Sequence, residues 1–101
     1  MAGPQEIIGW KARHPYPYMS RMFYVYILQS ERIPAQTYIG LTDDVERRLT
    51  EHNDAGDKHT TGYRPWKLAA VVGFPTRSRA EAFEHYLKTG SGRAFAKRHL
   101  R

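Results

Sequence analysis

The sequence predicts an α+β domain in which a three-stranded, mainly antiparallel sheet is flanked by helices in the order β-β-α-β-α-α. Two runs of aromatic and β-branched residues, Phe23–Leu28 and Gln36–Leu41, lie close together and indicate strands. A third such run follows at 65–74. Two stretches with helical spacing, 43–53 and 76–88, come after the second and third runs. One sheet with helices packed on it is the layer arrangement that this order favours.

The first two strands are predicted to form an antiparallel hairpin, because only the loop 29–36, which contains Pro34, separates them. Side chains alternate along a strand, so Tyr26 is expected on the face opposite Val25 and Ile27. Strand, strand, helix and strand in this order also permit a βαβ-like crossover.

The first helix is expected over 43–53, with Thr42 or Asp43 as its N-cap. Glu46 would then supply the acidic half of a capping box. Helical periodicity places Arg47 on the side that faces water.

Polar side chains share the inward stripe of this helix. Val45, Arg48, Leu49 and His52 are spaced i, i+3, i+4 and i+7, whereas Glu51 falls on the outward side. An inward arginine needs a partner, because an uncompensated buried charge costs about 3–5 kcal/mol. A structural ion pair and a functional site are both open interpretations.

The second helix is expected to begin at a cap formed by Thr76 or Ser78 and to end near Lys88. Ser78 and Glu81 have capping-box spacing, which gives Glu81 a structural explanation. Glu84 lies on the apolar stripe and has no such explanation. Pairing with an inward arginine and binding of a cation are the alternatives.

A last short helix is predicted over Ala94–Leu100, after Gly90 and Gly92 break the preceding one. The domain is placed at 22–101. The proline-punctuated residues 1–21 are interpreted as a poorly ordered N-terminal extension.

Composition restricts the class of protein. The 101 residues suffice for one small domain, and the net charge of +6 with pI near 9.8 indicates a polyanionic partner. The absence of cysteine excludes disulfides, thiolate zinc sites and cysteine nucleophiles. No apolar run reaches the roughly 20 residues that span a bilayer. We therefore expect a cytoplasmic protein, with its oligomeric state open.

The paired motifs Tyr24-Val-Tyr26 and Tyr38-Ile-Gly40 resemble those of the GIY-YIG nucleases, particularly the small single-domain bacterial members and the N-terminal nuclease domain of the bacterial excinuclease. Arg48 stands eight residues after the motif glycine Gly40, where the family has its arginine. His52 matches the frequent histidine one turn later, and Glu84 matches the metal-binding glutamate.

The resemblance implies hydrolysis of DNA phosphodiester bonds with one Mg²⁺ or Mn²⁺ ion. Glu84 would bind the metal, and Arg48 would donate hydrogen bonds to phosphate oxygens. Tyr26, assisted by His52, would accept a proton or position the water, and Tyr38 would orient the water or the phosphate. The division of roles between the tyrosines stays open.

Basic residues are expected to contact the DNA backbone, and RNA is not excluded as a partner. The predicted set is Lys58, Arg64, Lys88, Arg93, Lys97 and Arg98. The family's usual asparagine downstream of the glutamate has no counterpart in 94–101. A catalytically weak or inactive nucleic-acid-binding protein on the same scaffold is therefore the second hypothesis. A non-catalytic interaction module is the third.

Overall fold

The computed structural model describes residues 21–54 and 60–101, which form three strands and three helices in the order that the sequence predicts. The elements follow the order β-β-α-β-α-α, with a short 3₁₀ turn at Thr61–Tyr63. Their bounds are β1 Phe23–Ser30, β2 Thr37–Thr42, α1 Val45–Asn53, β3 Trp66–Phe74, α2 Arg77–Leu87 and α3 Gly90–His99. The predicted α+β class is confirmed. The predicted extension lies almost entirely outside the described residues.

The sheet has the strand order β2-β1-β3, and β1 is antiparallel to both neighbours. The predicted hairpin of β1 and β2 is present. Because β2 and β3 are both antiparallel to β1, they run parallel to each other. Helix α1 therefore makes a crossover that passes over the central strand.

One face of the sheet carries an apolar core. Val25 and Ile27 of β1 are buried there against Ala80 and Leu87 of α2 and Ala96 of α3. These small and aliphatic side chains hold α2 against β1, β2 and β3, and α3 packs against α2.

The opposite face carries a more polar core under helix α1. Tyr26 and Leu28 of β1 pack with Trp66, and Leu49 of α1 and Tyr38 of β2 cover them. The alternation predicted for β1 thus separates two chemically different layers, one on each side of a single sheet.

Helix α1 begins later than predicted. Its N-cap is Asp44, whose carboxylate accepts a hydrogen bond from the Arg47 N–H at 3.1 Å, so the choice of Thr42 or Asp43 was wrong. Thr42 still belongs to β2, and its hydroxyl accepts the Asp44 N–H at 3.0 Å. The helix therefore begins one residue later than the Asp43 cap would allow, and the Thr42 hydroxyl holds the new cap residue in place.

Helix α2 is capped by Thr76, one of the two predicted candidates, whose hydroxyl accepts the Arg79 N–H. The predicted capping box of Ser78 and Glu81 was wrong, because Ser78 lies within the helix. Glu81 instead pairs with Arg77 one turn earlier, at 3.8 Å.

Helix α3 begins at Gly90, four residues before the prediction, because Thr89 caps it through the Gly92 N–H at 3.1 Å. Gly92 is needed for close approach: a Cβ there would lie 1.8 Å from the Tyr86 carbonyl oxygen. Gly90 has open space around it. The glycines therefore join two helices in a tight hairpin. Among the described residues, none of the helices is long and apolar enough to cross a membrane.

Candidate active site

Tyr26, Arg48 and His52 meet under helix α1, as their positions in the sequence predicted. The Tyr26 hydroxyl lies 3.1 Å from His52 Nε2, and Arg48 Nη2 lies 3.3 Å from the same nitrogen. Tyr26 is 1% exposed and His52 is fully buried. A strand residue and two helix residues one turn apart therefore share one hydrogen-bonded cluster.

A threonine from the segment before β3 completes this cluster. Thr60 Oγ1 lies 3.0 Å from His52 Nδ1, and its side chain is buried. A guanidinium has only donors, so His52 Nε2 accepts from Arg48 and carries no proton. The neutral ring then carries its proton on Nδ1 and donates it to Thr60. The one lone pair of Nε2 is then shared between the Arg48 donor and the Tyr26 hydroxyl, which is the nearer of the two.

Arg48 is held at the rim of the cluster with part of its side chain accessible. The side chain is 27% exposed, whereas that of the neighbouring Arg47 is 57% exposed, as the helical stripe predicted. Glu51 pairs with Arg48 at 2.5 Å, although periodicity had placed this glutamate on the outward side. Spacing of i, i+3 allows the carboxylate to reach around the helix.

The pKa of Arg48 is raised above its ordinary value, first by the hydrogen bond with the Tyr26 hydroxyl and then by the Glu51 carboxylate. Burial acts in the opposite direction and is outweighed. The guanidinium therefore remains charged at every pH at which the protein is folded, as a phosphate-binding group requires.

Gly40 leaves room for the Tyr26 hydroxyl. The two residues are paired across β1 and β2, and a Cβ at Gly40 would lie 2.4 Å from the Tyr26 hydroxyl oxygen. The motif glycine is thus explained by a close approach within the site.

Tyr38 lies on β2 at one edge of the sheet formed by the described strands. Its ring packs against those of His52, with centroids 4.5 Å apart, and Tyr26, with centroids 6.2 Å apart. Unlike Tyr26, it is only half-buried. Tyr38 also lines a cleft on the other side of this edge, so it is shared by both faces of the sheet.

Glu84 occupies the face of the sheet opposite Arg48. It belongs to α2, which packs on the Val25 and Ile27 side and contacts β2. Its side chain is 25% exposed and pairs with Lys88 at 3.4 Å. The structure therefore gathers four of the five predicted catalytic residues in one cluster and places the helix that carries the glutamate on the opposite face of the sheet.

The cleft beside Tyr38 has a volume of about 460 Å³ and carries three cationic side chains, those of Lys88, Arg93 and Arg101. Thr37 of β2 also lines it, and buried Leu87 forms part of the apolar floor. Two of the predicted DNA-binding residues, Lys88 and Arg93, thus share one concave surface.

The other predicted DNA-binding residues lie elsewhere. Lys97 and Arg98 are exposed on α3 outside this cleft. Arg64 is half-buried and donates to the Thr61 carbonyl at 3.1 Å, so its guanidinium is engaged with its own loop. Lys58 lies outside the described residues.

Sequence patterns did not identify Thr60 or Asn53 as site residues. Thr60 lies between α1 and β3, in a stretch where no periodicity marks an inward side chain. Asn53 clamps β3 to the end of α1: its side chain accepts from the Trp66 N–H at 2.6 Å and donates to the Trp66 carbonyl at 3.0 Å. Trp66 in turn donates its indole N–H to the Thr60 carbonyl at 2.9 Å.

Comparison with known proteins gives a match to the family described as the GIY-YIG catalytic domain, over residues 22–98. Similar curated proteins include the Structure-specific endonuclease subunit SLX1 of Scheffersomyces stipitis, 42% identical over 76% of this chain. The protein of the same name from Meyerozyma guilliermondii is 46% identical over 70% of this chain.

The chain spans about a quarter of the length of these relatives, 25% and 26% respectively. Among solved structures, the solution NMR structure of a UPF0213 protein from Bacillus halodurans is 35% identical. That match covers 75% of this chain and 80% of the other, with a TM-score of 0.46.

Proposed function

This chain belongs to the GIY-YIG catalytic domain family, and from that premise we propose that it is a metal-dependent endonuclease that hydrolyses DNA phosphodiester bonds in repair or recombination. The relatives are named as subunits of a structure-specific endonuclease. That name supports branched or nicked DNA as the substrate of this chain. The observation that carries the proposal is the hydrogen-bonded cluster of Tyr26, Arg48 and His52, which shares Tyr38 with a cationic cleft on the other face of the sheet.

Arg48 supplies the charge that a transferring phosphate requires. Its Tyr26 and Glu51 contacts orient the guanidinium and keep it protonated, while the exposed part of the side chain faces solvent. A planar guanidinium donates two hydrogen bonds to the non-bridging oxygens of a phosphodiester. The same donors stabilise the additional negative charge that develops when water attacks phosphorus.

Tyr26 and His52 provide a route for the proton of the attacking water. A phenol with an ordinary pKa near 10 is a poor base at neutral pH unless its own proton has an acceptor. His52 Nε2 is that acceptor, 3.1 Å away. The tyrosine oxygen takes the water proton as its own proton passes to the imidazole. A bond from the water oxygen to phosphorus forms, the bond to the leaving oxygen breaks, and that oxygen takes up a proton from solvent water.

The accessibility of the two tyrosines divides their tasks in this proposal. Tyr26 is nearly sealed and held by His52, which suits relay of a proton. Tyr38 is half-buried and lines the cleft, which suits contact with the phosphate.

Glu84 is the carboxylate that fits the metal. The described residues contain no group of three or more His, Cys, Asp or Glu side chains that could hold an ion. Mg²⁺ commonly binds through one or two carboxylates together with waters and substrate oxygens, so a single half-buried glutamate is a suitable donor set. When bound, the ion would act as a Lewis acid at the phosphate and its leaving oxygen. Lys88 would release Glu84 on binding a phosphate.

A second function, DNA binding with weak or no cleavage, is favoured by the position of Glu84. This carboxylate lies on the face opposite Arg48 and is already paired with a lysine. If the ion that it holds does not reach the phosphate held by Arg48, the cationic surface binds DNA without hydrolysis.

The deciding experiment compares wild type with Glu84→Gln and with the matched control Glu81→Gln. Glu81 lies one turn earlier on α2, pairs with Arg77 and faces solvent. Cleavage of nicked, flapped, branched and linear DNA is measured with Mg²⁺ and with Mn²⁺. We expect Glu84→Gln to lose about 10²–10³-fold in cleavage rate and the control to cleave like wild type.

Equal cleavage by the wild type and Glu84→Gln would contradict the assigned metal site. Tight binding by the wild type with no cleavage in either metal would select the second function. Binding of RNA and the oligomeric state are measured in the same preparations.

A further inference from the structure

The cleft between β2 and the α2–α3 hairpin has the charge and shape of a phosphate-binding site. We propose that it binds the DNA backbone next to the cleavage site, so that one strand crosses the edge of the sheet at β2. This inference rests on the proposed function, because it assigns the path of that same substrate.

Charge complementarity identifies the occupant. Lys88, Arg93 and Arg101 all line the cleft, and its lining residues within the described part of the chain include no Asp or Glu. Lys88 pairs with Glu84 of α2 at 3.4 Å, so Arg93 and Arg101 are the cations without that neutralising partner. The volume of about 460 Å³ lies within the range of small-molecule sites and is large enough for a sugar-phosphate unit. Hydrogen bonding by Thr37 and apolar contact with Ile39 suit a backbone that is part phosphate and part sugar.

Backbone contacts hold the elements that form the cleft. The Gly92 backbone packs directly on the Tyr86 carbonyl, which fixes the end of α2, and hence Lys88, relative to Arg93. The Arg101 N–H donates to the Ala96 carbonyl at 3.0 Å, which ties the third cation to α3. Cationic side chains that project from a restrained backbone lose less entropy on binding than those on a mobile tail.

Tyr38 connects the cleft with the Arg48 cluster. Its ring lies against His52 on one face of the sheet, and the same residue lines the cleft on the other side. In the proposed path, a strand held by Arg48 bends around β2 and places its neighbouring phosphates in the cleft. Stacked duplex DNA resists such a bend, whereas a nicked, flapped or single strand makes it at low cost. The path thus gives a physical reason for a structure-specific substrate.

The cleft is tested by binding in EDTA, which separates binding from hydrolysis. The probe is a fluorescein-labelled single-stranded oligonucleotide, titrated by anisotropy over a series of KCl concentrations. Arg93→Ala and Arg101→Ala are expected to weaken binding about threefold to tenfold each. Each is expected to reduce the slope of log affinity against log salt by about 0.7, the value for one phosphate contact on a single strand.

Two comparisons make the result specific. Arg79→Ala removes one exposed charge from the opposite end of α2, outside the cleft, and is expected to bind like wild type. Lys97→Ala with Arg98→Ala removes the exposed charges of α3 that lie outside the cleft, and the expected loss is smaller than for Arg93→Ala with Arg101→Ala. Thermal melting verifies that every variant is folded.

Unchanged affinity and slope in the Arg93 and Arg101 variants would overturn the cleft path, and so would an equal or larger loss in the Lys97 and Arg98 pair. Cleavage by the wild type is a separate measurement, which tests the proposed function and not the path through the cleft. If wild type cleaves and the cleft variants bind normally, the proposed function survives without this path. If wild type does not cleave and the cleft variants bind weakly, the path survives without the hydrolysis.

Discussion

The two faces of the sheet use the same strand for different purposes. On the α1 face, β1 presents Tyr26, whose hydroxyl joins His52 and Arg48 in a hydrogen-bonded cluster. On the other face, β1 presents Val25 and Ile27, which pack against the α2–α3 hairpin without polar contacts of their own side chains.

The difference between the two faces shows that a polar cluster and an apolar layer have different requirements in a small domain. A buried polar cluster is effective only when each member is satisfied, because an unpaired group in a low-dielectric interior costs about 1–3 kcal/mol. Among the described residues, every buried side-chain nitrogen and oxygen has a hydrogen-bond partner. An apolar layer requires shape and volume, and it tolerates volume-conserving exchanges. We therefore expect changes on the α1 face to alter the rate of cleavage and changes under α2 and α3 to alter stability.

The largest effect is expected from Arg48→Ala, which removes the cation of the α1 face. Loss of a preorganised donor at the transition state lowers cleavage by about 10²–10³-fold. The matched control is Arg47→Ala, because Arg47 is exposed and makes two solvent-facing ion pairs with Asp43 and Glu51. It is expected to retain cleavage within about twofold, since exposed pairs contribute about 0–1 kcal/mol. Steady-state kcat and KM on a nicked substrate measure both, and similar losses in the two variants would remove Arg48 from the site.

The next largest effect is expected on the other face, from Gly92→Ala. The added Cβ would meet the Tyr86 carbonyl oxygen at 1.8 Å, so the helices of the hairpin must separate. We expect a loss of about 3 kcal/mol in the free energy of unfolding, within the range for overpacking.

Gly90→Ala is the control for that variant, because it adds the same atom where nothing lies within 4 Å. It is expected to change the free energy of unfolding by less than about 1 kcal/mol. Urea denaturation followed by circular dichroism gives both values. A Gly92→Ala variant as stable as Gly90→Ala would mean that the hairpin is not held by backbone contact.

A smaller effect, again on the α1 face, is expected from Thr60→Val. The methyl group fills the space but removes the acceptor for His52 Nδ1–H, so the tautomer with an unprotonated Nε2 is no longer favoured. We expect a roughly tenfold lower kcat, part of the 10²–10⁴-fold that general base catalysis contributes.

A purely structural role for Thr60 predicts a different result. In the positioning role, Thr60→Ser retains the hydroxyl and restores kcat, and the pH profile of Thr60→Val shifts while that of Thr60→Ser does not. If Thr60→Val lowers stability but leaves the pH profile of kcat unchanged, Thr60 does not position His52.

Local periodicity was sufficient to predict the helices and strands and to identify the side chains that face inward. The stripe of α1 placed Arg48 and His52 inward and Arg47 outward, and alternation in β1 separated Tyr26 from Val25. These predictions depend on geometry within one helix or strand, where spacing along the chain fixes direction. The error at Asp44 arose because neighbouring polar residues are also competent caps, and the error at Thr89 arose because Gly90 and Gly92 were interpreted as helix breakers.

The sequence by itself determined the order of elements, the inward polar residues and the family motifs, because each is encoded in short-range spacing. Only the tertiary structure decided which of those residues meet. Thr60 contacts the His52 ring, and the Tyr86 carbonyl oxygen occupies the space that a Cβ at Gly92 would fill. Glu84 lies on the face of the sheet opposite Arg48. Periodicity orients a side chain relative to its own element but carries no information about which face of the sheet a later helix covers. That choice depends on packing between elements distant in the chain.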